Sequence, residues 1–340
     1  MSAIAGVLAE QAATIGRLSA DIGREVDALS LGITDRAGHL ALGEPGRVSA
    51  NGACRLVRAA DGWIAVNLAR EDDRDLVAAW LGCEFGAEPW AAIEALAAAR
   101  SQADLLAGAD LLGLPAGAVG EVSFDTLDAP VHRRGGGRRR SPHTLKVVDL
   151  SAMWAGPMCG AILAAMGASV LRIEGVRRPD PTRTATPRFF EALNGRKTDL
   201  RLDLAAPDGQ ARLRDQIAAA DVLITGVRPR GLTSLGLTEA GVWAANPSLV
   251  WVAVTGYGWT GAGASRVGFG DDTAAAGGLV DWIAGEPRFL GDALADPVTG
   301  LAAAAGALRA VQAGGGMLVD AALARSAAAA AHSLGLRAAA

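Results

Sequence analysis

From Leu145 onward the hydrophobic positions fall into short solid blocks, separated by stretches with helical spacing. The blocks predict strands over Lys146–Leu150, Ser169–Ile173, Asp221–Thr225 and Leu249–Val254, and an alternating strand over Thr198–Leu204. Between them lie a helix from Gly156 to Met166, stopped by Gly167, and a second that starts near Pro207. Strands alternating with helices predict an α/β fold, a Rossmann-like, mainly parallel sheet with helices on both faces. Such sheets bind ligands beyond the carboxyl ends of their strands.

The chain before this block reads differently. Ala3–Leu29 has helical spacing, and a Gly- and Pro-containing stretch follows it. Cys54–Leu68 reads as a hairpin turning at Asp61-Gly62. Helices are predicted over Asp72–Leu81, Pro89–Arg100 and Gln102–Leu111. The expected division is an N-terminal helical segment (1–46), a small α+β domain (47–131), a Gly/Arg-rich linker (132–144) and the large domain (145–340). The linker, HRRGGGRRRSPH, holds five arginines. They fit an anion patch, but Gly135–Gly137 favour a solvated connection.

Composition narrows the classes. Hydrophobic residues make up 51% of the 340 and charged residues 20%, enough for a large core. A net charge of −4 argues against nucleic acid or an anionic membrane as partner. Three scattered cysteines form neither a disulfide framework nor a zinc pattern. No apolar run reaches the roughly 18 residues of a bilayer span. With no basic leader at the start, a cytoplasmic protein is expected.

The first βα turn, Asp149 to Pro157, is one candidate site. Free N–H groups at a helix start favour an anion, and Pro157 suits the first helical turn. The turn has neither a dinucleotide fingerprint nor a P-loop, so it is a ligand turn or an ordinary connection. Only four histidines occur, none at the predicted strand ends, which turns attention to carboxylates. The loop candidates are Asp180, Asp271, Asp272, Asp292 and Asp296. Asp296 precedes Pro297 and a long Ala-rich helix. It reads as an N-cap, and alternatively as a nucleophile presented at the sheet edge.

Several blocks, in order, resemble the class III CoA-transferases, the family of formyl-CoA and carnitine CoA-transferases. They are VVDLSAMWAGPMCG, GASVLRIEG with PDPTR, LNGRKTDLRLDLAAPDGQ, ADVLITGVRPRGLTSLGL, NPSLVWVAVTGYGWTG and GGGMLVDAALA. LGDALADPVTG is similar to the family's catalytic block and implies Asp296 as nucleophile. The implied reaction moves CoA between an acyl-CoA thioester and a small carboxylic acid, through aspartyl-anhydride and aspartyl-CoA intermediates. Coenzyme A is then a substrate, with no permanent cofactor and no metal.

The resemblance implies that CoA meets Met153, Trp154, Ala155, Arg177, Leu202, Gly226, Val227, Arg228 and Arg230. Two basic positions of the family are Gly175 and Ser234 here. Gly270 stands where an acidic residue is usual, and its neighbour Asp271 is the expected replacement in catalysis. Phe269 replaces the histidine base of the family's racemases, which leaves an acyl-CoA racemase the weaker alternative. A catalytically degenerate acyl-CoA-binding homologue is the other. The family's small domain normally follows the large one. Here SANGACRLVRAADGWIAVNLAREDDRDLVAAWLG and GLPAGAVGEV resemble it from the front, so circular permutation and a homodimer are expected.

Overall fold

The computed structural model of the chain describes residues 2–137 and 144–336. Residues 138–143 of the Gly/Arg-rich stretch lie outside the described residues. Helix α1 (Ser2–Ala20) comes first. The small unit has strands β1 (Cys54–Ala59), β2 (Gly62–Asn67) and β3 (Ala116–Ala118). Helices α2 (Glu71–Asp75), α3 (Val77–Leu81), α4 (Pro89–Ala97) and α5 (Gln102–Leu112) separate β2 from β3. Then come β4 (Val131–Arg133), β5 (Lys146–Leu150), α6 (Ala155–Met166), β6 (Ser169–Gly175), α7 (Thr182–Ala185), α8 (Pro187–Asn194) and β7 (Thr198–Leu202). The second half of the sheet adds α9 (Pro207–Ala218), β8 (Val222–Thr225), α10 (Pro229–Ser234), α11 (Glu239–Ala245) and β9 (Val250–Thr255). The chain closes with α12 (Gly270–Ala276), the hairpin β10 (Val280–Ile283) and β11 (Glu286–Phe289), α13 (Ala295–Gln312), β12 (Met317–Ala322) and α14 (Leu323–Ser333). Among the described residues no helix is long and apolar enough to cross a membrane.

The large sheet has the order β4-β12-β9-β8-β5-β6-β7. All its pairs are parallel except β4 against β12. From β5 the chain builds outward through β6 and β7, then returns to build β8, β9 and β12 on the other side. Strand order therefore reverses between β5 and β8, and a crevice opens at their carboxyl ends. The Ala-rich α13 is buried around almost its whole circumference, as its lack of a polar face requires. At Gly300 a side chain would meet Met158 Sδ at 2.8 Å, so glycine permits the close approach of α13 to α6.

Several boundaries differ from expectation. The hairpin pairs Ala59 with Gly62, so the turn is Ala60-Asp61 and Gly62 already belongs to β2. The helix expected over Asp72–Leu81 is two short helices that meet at Leu76. Helix α1 shares one core cluster with α6 and α13, so the first segment packs with the large sheet. Val131–Arg133, at the start of the stretch read as a linker, is an edge strand on β12. The small unit leans on α12 and the β10–β11 hairpin through Leu56, Trp63, Ala65 and Val119 against Ala275, Val280 and Phe289.

A buried ion pair fixes the turn after β5. Lys197 Nζ donates to Asp149 Oδ2 (2.8 Å), Asn194 Oδ1 (2.9 Å) and the Pro157 carbonyl (2.8 Å). Asp149 Oδ1 accepts the Ser151 N–H (3.0 Å) and hydroxyl (2.5 Å). The first strand, its turn and the start of α6 are thus tied to one fully buried ammonium. Lys197→Ala leaves Asp149 charged and unpaired out of water and is expected to cost about 3–5 kcal/mol, measured by urea unfolding.

Candidate active site

A cleft of about 1040 Å³ opens over the switch point of the sheet. The turns after β5, β6, β8 and β9 line one side. On the other stand Asn51, Ala53, Asn67, Ala69 and Arg70 of the small unit, with Arg36 and Leu40 from the segment before it. The turn after β5 carries Met153 in the left-handed region (φ 71°). The Met153 N–H donates to Asp180 Oδ2 at 3.1 Å. Asp180 is itself held by Thr182 and by the buried Arg172, and so serves as a brace for the turn.

Asp296 sits at the base of this cleft. It is the second residue of α13, whose N-cap is Leu294, so the expectation that Asp296 caps the helix is corrected. The reason is local. Ala293 turns through a left-handed φ of 45°, and its carbonyl accepts the Asp296 N–H at 2.9 Å, winding the chain before Asp296 is reached. Asp296 Oδ2 lies over Gly270, where a Cβ would stand 2.1 Å away. Glycine is therefore what admits the carboxylate. Burial raises the Asp296 pKa to about 7; the neighbouring charges of Asp271 and Asp292 add to the rise, while Arg36 and the Ala155 N–H oppose it.

Asp271 and Asp272 begin α12 and are both buried. Asp271 Oδ1 accepts the Ala293 N–H at 2.7 Å, and Oδ2 accepts Asn51 Nδ2 at 2.6 Å. Asn51 Nδ2 also donates to Asp292 Oδ1 (2.9 Å). Asp292 binds Arg36 through Nε (2.5 Å) and Nη2 (2.8 Å). Asp272 accepts the Phe269 N–H (3.0 Å) and Asn67 Nδ2 (3.0 Å), and so caps α12. Burial lifts Asp271 to about 6 and Asp272 to about 7, against these hydrogen bonds. Asp271, expected to take part in catalysis, lines the cleft with both oxygens engaged. Its contacts brace the turn that delivers Asp296.

Of the residues expected to meet CoA, Met153, Ala155, Arg177, Gly226, Val227 and Arg228 line the cleft. Trp154, Leu202 and Arg230 do not. Trp154 is a core residue: its indole N–H donates to the Ile33 carbonyl (2.8 Å) and its ring meets Phe189 edge-on. Leu202 is buried at the end of β7, and Leu204 takes its place in the wall. Arg230 lies on α10, two residues beyond Arg228. Arg177 pairs with Asp203 (2.8 Å). The Arg228 guanidinium donates to the Ser265 carbonyl (2.7 Å), and the charges that act on it are Arg230 and Arg70, both cations. Burial and these neighbours hold it below the usual arginine value. A half-buried cation of this kind fits a phosphate-bearing ligand.

Arg36, Asn51 and Asn67 escaped the sequence reading. They are isolated polar residues in the first 67 positions, and nothing in their spacing links them to aspartates more than 200 residues away.

The raised pKa of Asp296 has a sign. In the unfolded chain an aspartate titrates near 3.9. Stability from the protonated form is present below that value and is lost as pH rises through about 7. Asp296→Asn is therefore expected to stabilise the fold at pH 8 by on the order of 2–4 kcal/mol, and by far less at pH 4. Urea melts at the two values measure the difference.

Comparison with known proteins places this geometry. The profile of CoA-transferase family III matches residues 143–338. Succinate--glutarate CoA-transferase of Agrobacterium fabrum is 31% identical over 199 residues, covering 53% of this chain and 50% of that protein. Succinyl-CoA--D-citramalate CoA-transferase of Chloroflexus aurantiacus is 31% identical over 199 residues, covering 54% and 50%. The chain thus spans about half the length of the curated relatives it matches. A CAIB/BAIF family protein from Brucella suis superposes with a TM-score of 0.52 at 29% identity, covering 62% of this chain and 56% of that one. The matched segment holds the whole parallel part of the sheet, the turns at its switch point and Asp296, and the chain belongs to CoA-transferase family III.

Proposed function

We propose that the protein moves CoA between an acyl-CoA thioester and a carboxylic acid, with Asp296 as the nucleophile. The observation that carries this reading is the Asp296 carboxylate at the cleft base, over Gly270 and beside the Ala155 N–H. Family membership supports it, as do relatives whose names specify succinyl-CoA, glutarate and citramalate. Small dicarboxylic acids are accordingly the proposed acceptors.

In the proposed sequence, ionised Asp296 attacks the thioester carbonyl and CoA leaves as its thiolate, giving a mixed aspartyl anhydride. The thiolate attacks the aspartyl carbonyl and releases the first acid, leaving aspartyl-CoA. The second acid attacks that thioester through its carboxylate, expelling the thiolate and forming a new anhydride. The thiolate then takes the new acyl group, and Asp296 is regenerated. Each step exchanges one carboxylate or thiolate for another, so no proton has to move. Among the described residues no histidine lines the cleft, and this reaction needs none. The Ala155 N–H at the α6 N-terminus is the donor that would stabilise an oxyanion near Asp296. Phe269 beside Gly270 offers no base, which speaks against α-proton exchange.

Small-unit-first order, a homodimer and a cytoplasmic site belong to the same proposal. The test incubates the protein with a panel of acyl-CoA thioesters and reads the intact mass before and after hydroxylamine. The wild type is expected to carry a hydroxylamine-sensitive adduct that maps to Asp296. Asp296→Ala is expected to keep its melting transition and lose both adduct and transfer. CoA binding with no adduct from any thioester would instead mark a binding protein.

A further inference from the structure

The segment between α1 and the small unit places one guanidinium, Arg36, in the wall of the cleft that holds Asp296. It is fixed from two directions. Asp292 grips its edge through two hydrogen bonds of 2.5 and 2.8 Å. The ring of Trp154 lies under its face, 5.0 Å from the centroid. Trp154 is anchored in turn by the Ile33 carbonyl, three residues before Arg36, and by Phe189. The residue after Trp154 is Ala155, whose N–H faces Asp296. An arginine so held is a fixed cation beside the carboxylate.

We propose that Arg36 positions whichever carboxylate stands at the base of the cleft: ionised Asp296 in the free protein, and the incoming acid once Asp296 carries an acyl or CoA group. This role rests on the transfer reaction proposed above. While Asp296 is aspartyl-CoA it has no charge, and Arg36 keeps its own. One carboxylate of the second acid attacks the aspartyl carbonyl as the CoA thiolate leaves. Its negative charge takes the place of the one Asp296 lost. Arg36 thus favours the acid over its neutral form and holds it against the carbonyl it must attack.

The charged groups that act most strongly on Asp296 are Arg36, Asp271 from α12 and Asp292 from the preceding turn. The Ala155 N–H of α6 adds a partial positive charge. His39, on the same segment as Arg36, packs against Phe189 and does not line the cleft. Arg36 and Asp292 therefore act on Asp296 with opposite signs. A purely structural role would make both variants fail in the same way. An electrostatic role drives them apart.

The test first reads the titration of Asp296 without any substrate, as the pH dependence of the stability difference between each variant and the same variant carrying Asp296→Asn. Relative to the wild type, Arg36→Met is expected to move the midpoint up by about one pH unit, and Asp292→Asn to move it down by about half a unit. Arg36→Lys keeps the charge and stays near the wild type. Equal shifts in one direction, or none, overturn the proposal. If Arg36→Met does not fold, Arg36→Lys and Asp292→Asn still decide it by the same criterion. The second arm uses the thioester that loads Asp296 fastest, with glutarate as acceptor. Arg36→Met is expected to raise KM for the acid about tenfold and to leave KM for the thioester within about twofold. An unchanged acid KM, or equal rises in both, removes the acid-binding role. If no thioester loads the wild type, the transfer reaction falls and the acid-binding role with it, while the titration still reports on Arg36 and Asp296.

Discussion

Asp271 and Asp272 stand side by side at the start of α12, out of water, and two asparagines of the small unit meet them there. A buried carboxylate is tolerated only when its oxygens are hydrogen-bonded. Asn51 and Asn67 supply those bonds, one to each aspartate. The docking of the small unit and the ionisation of α12 are therefore one problem. Asp271 passes the constraint on, because its other oxygen holds the Ala293 N–H in the left-handed turn. That turn starts α13 and sets Asp296 over Gly270. Removing the small unit would expose an apolar face of α12 and also strip two carboxylates of their asparagine donors.

The parallel sheet was legible because its strands are buried on both faces. Such strands appear as solid apolar blocks, and the helices between them announce their starts with proline and their stops with glycine. The five strands read between residues 145 and 255 accordingly match to within about two residues at each end, whereas the short helices α7, α8, α10 and α11 were not read. The switch point at β5 and β8 was not stated by any single block, but it follows once strand order is known, and the Met153, Gly226 and Arg228 turns lie on it.

The misreadings have physical causes. Asp296 looked like a cap because Asp-Pro before an apolar run is a cap signature. The helix starts earlier because an alanine adopts the left-handed turn usually left to glycine or asparagine. Trp154 and Leu202 stand next to cleft residues in sequence, yet successive positions on a strand face opposite ways and those at a helix start point about 100° apart. Trp154 went to the core to support α8, and Leu202 to the core below β7. The wall of Arg36, Asn51 and Asn67 was invisible because it is made by tertiary contact between distant segments. Asp271 and Asp272 were seen as carboxylates, but their partners were not.

Gly270 makes the floor of the cleft out of main chain, and Ala155, Gly156 and Ala293 extend it. With Asp296 placed as it is in this chain, a side chain at position 270 would displace the carboxylate above it. The wall is different. Asn51, Ala53, Asn67, Ala69 and Arg70 belong to a stretch with a hydrophobic cluster of its own. The floor around Asp296 and the wall opposite it are thus written in separate lengths of chain. The wall can drift, or be exchanged as a cassette, while the floor stays as it is.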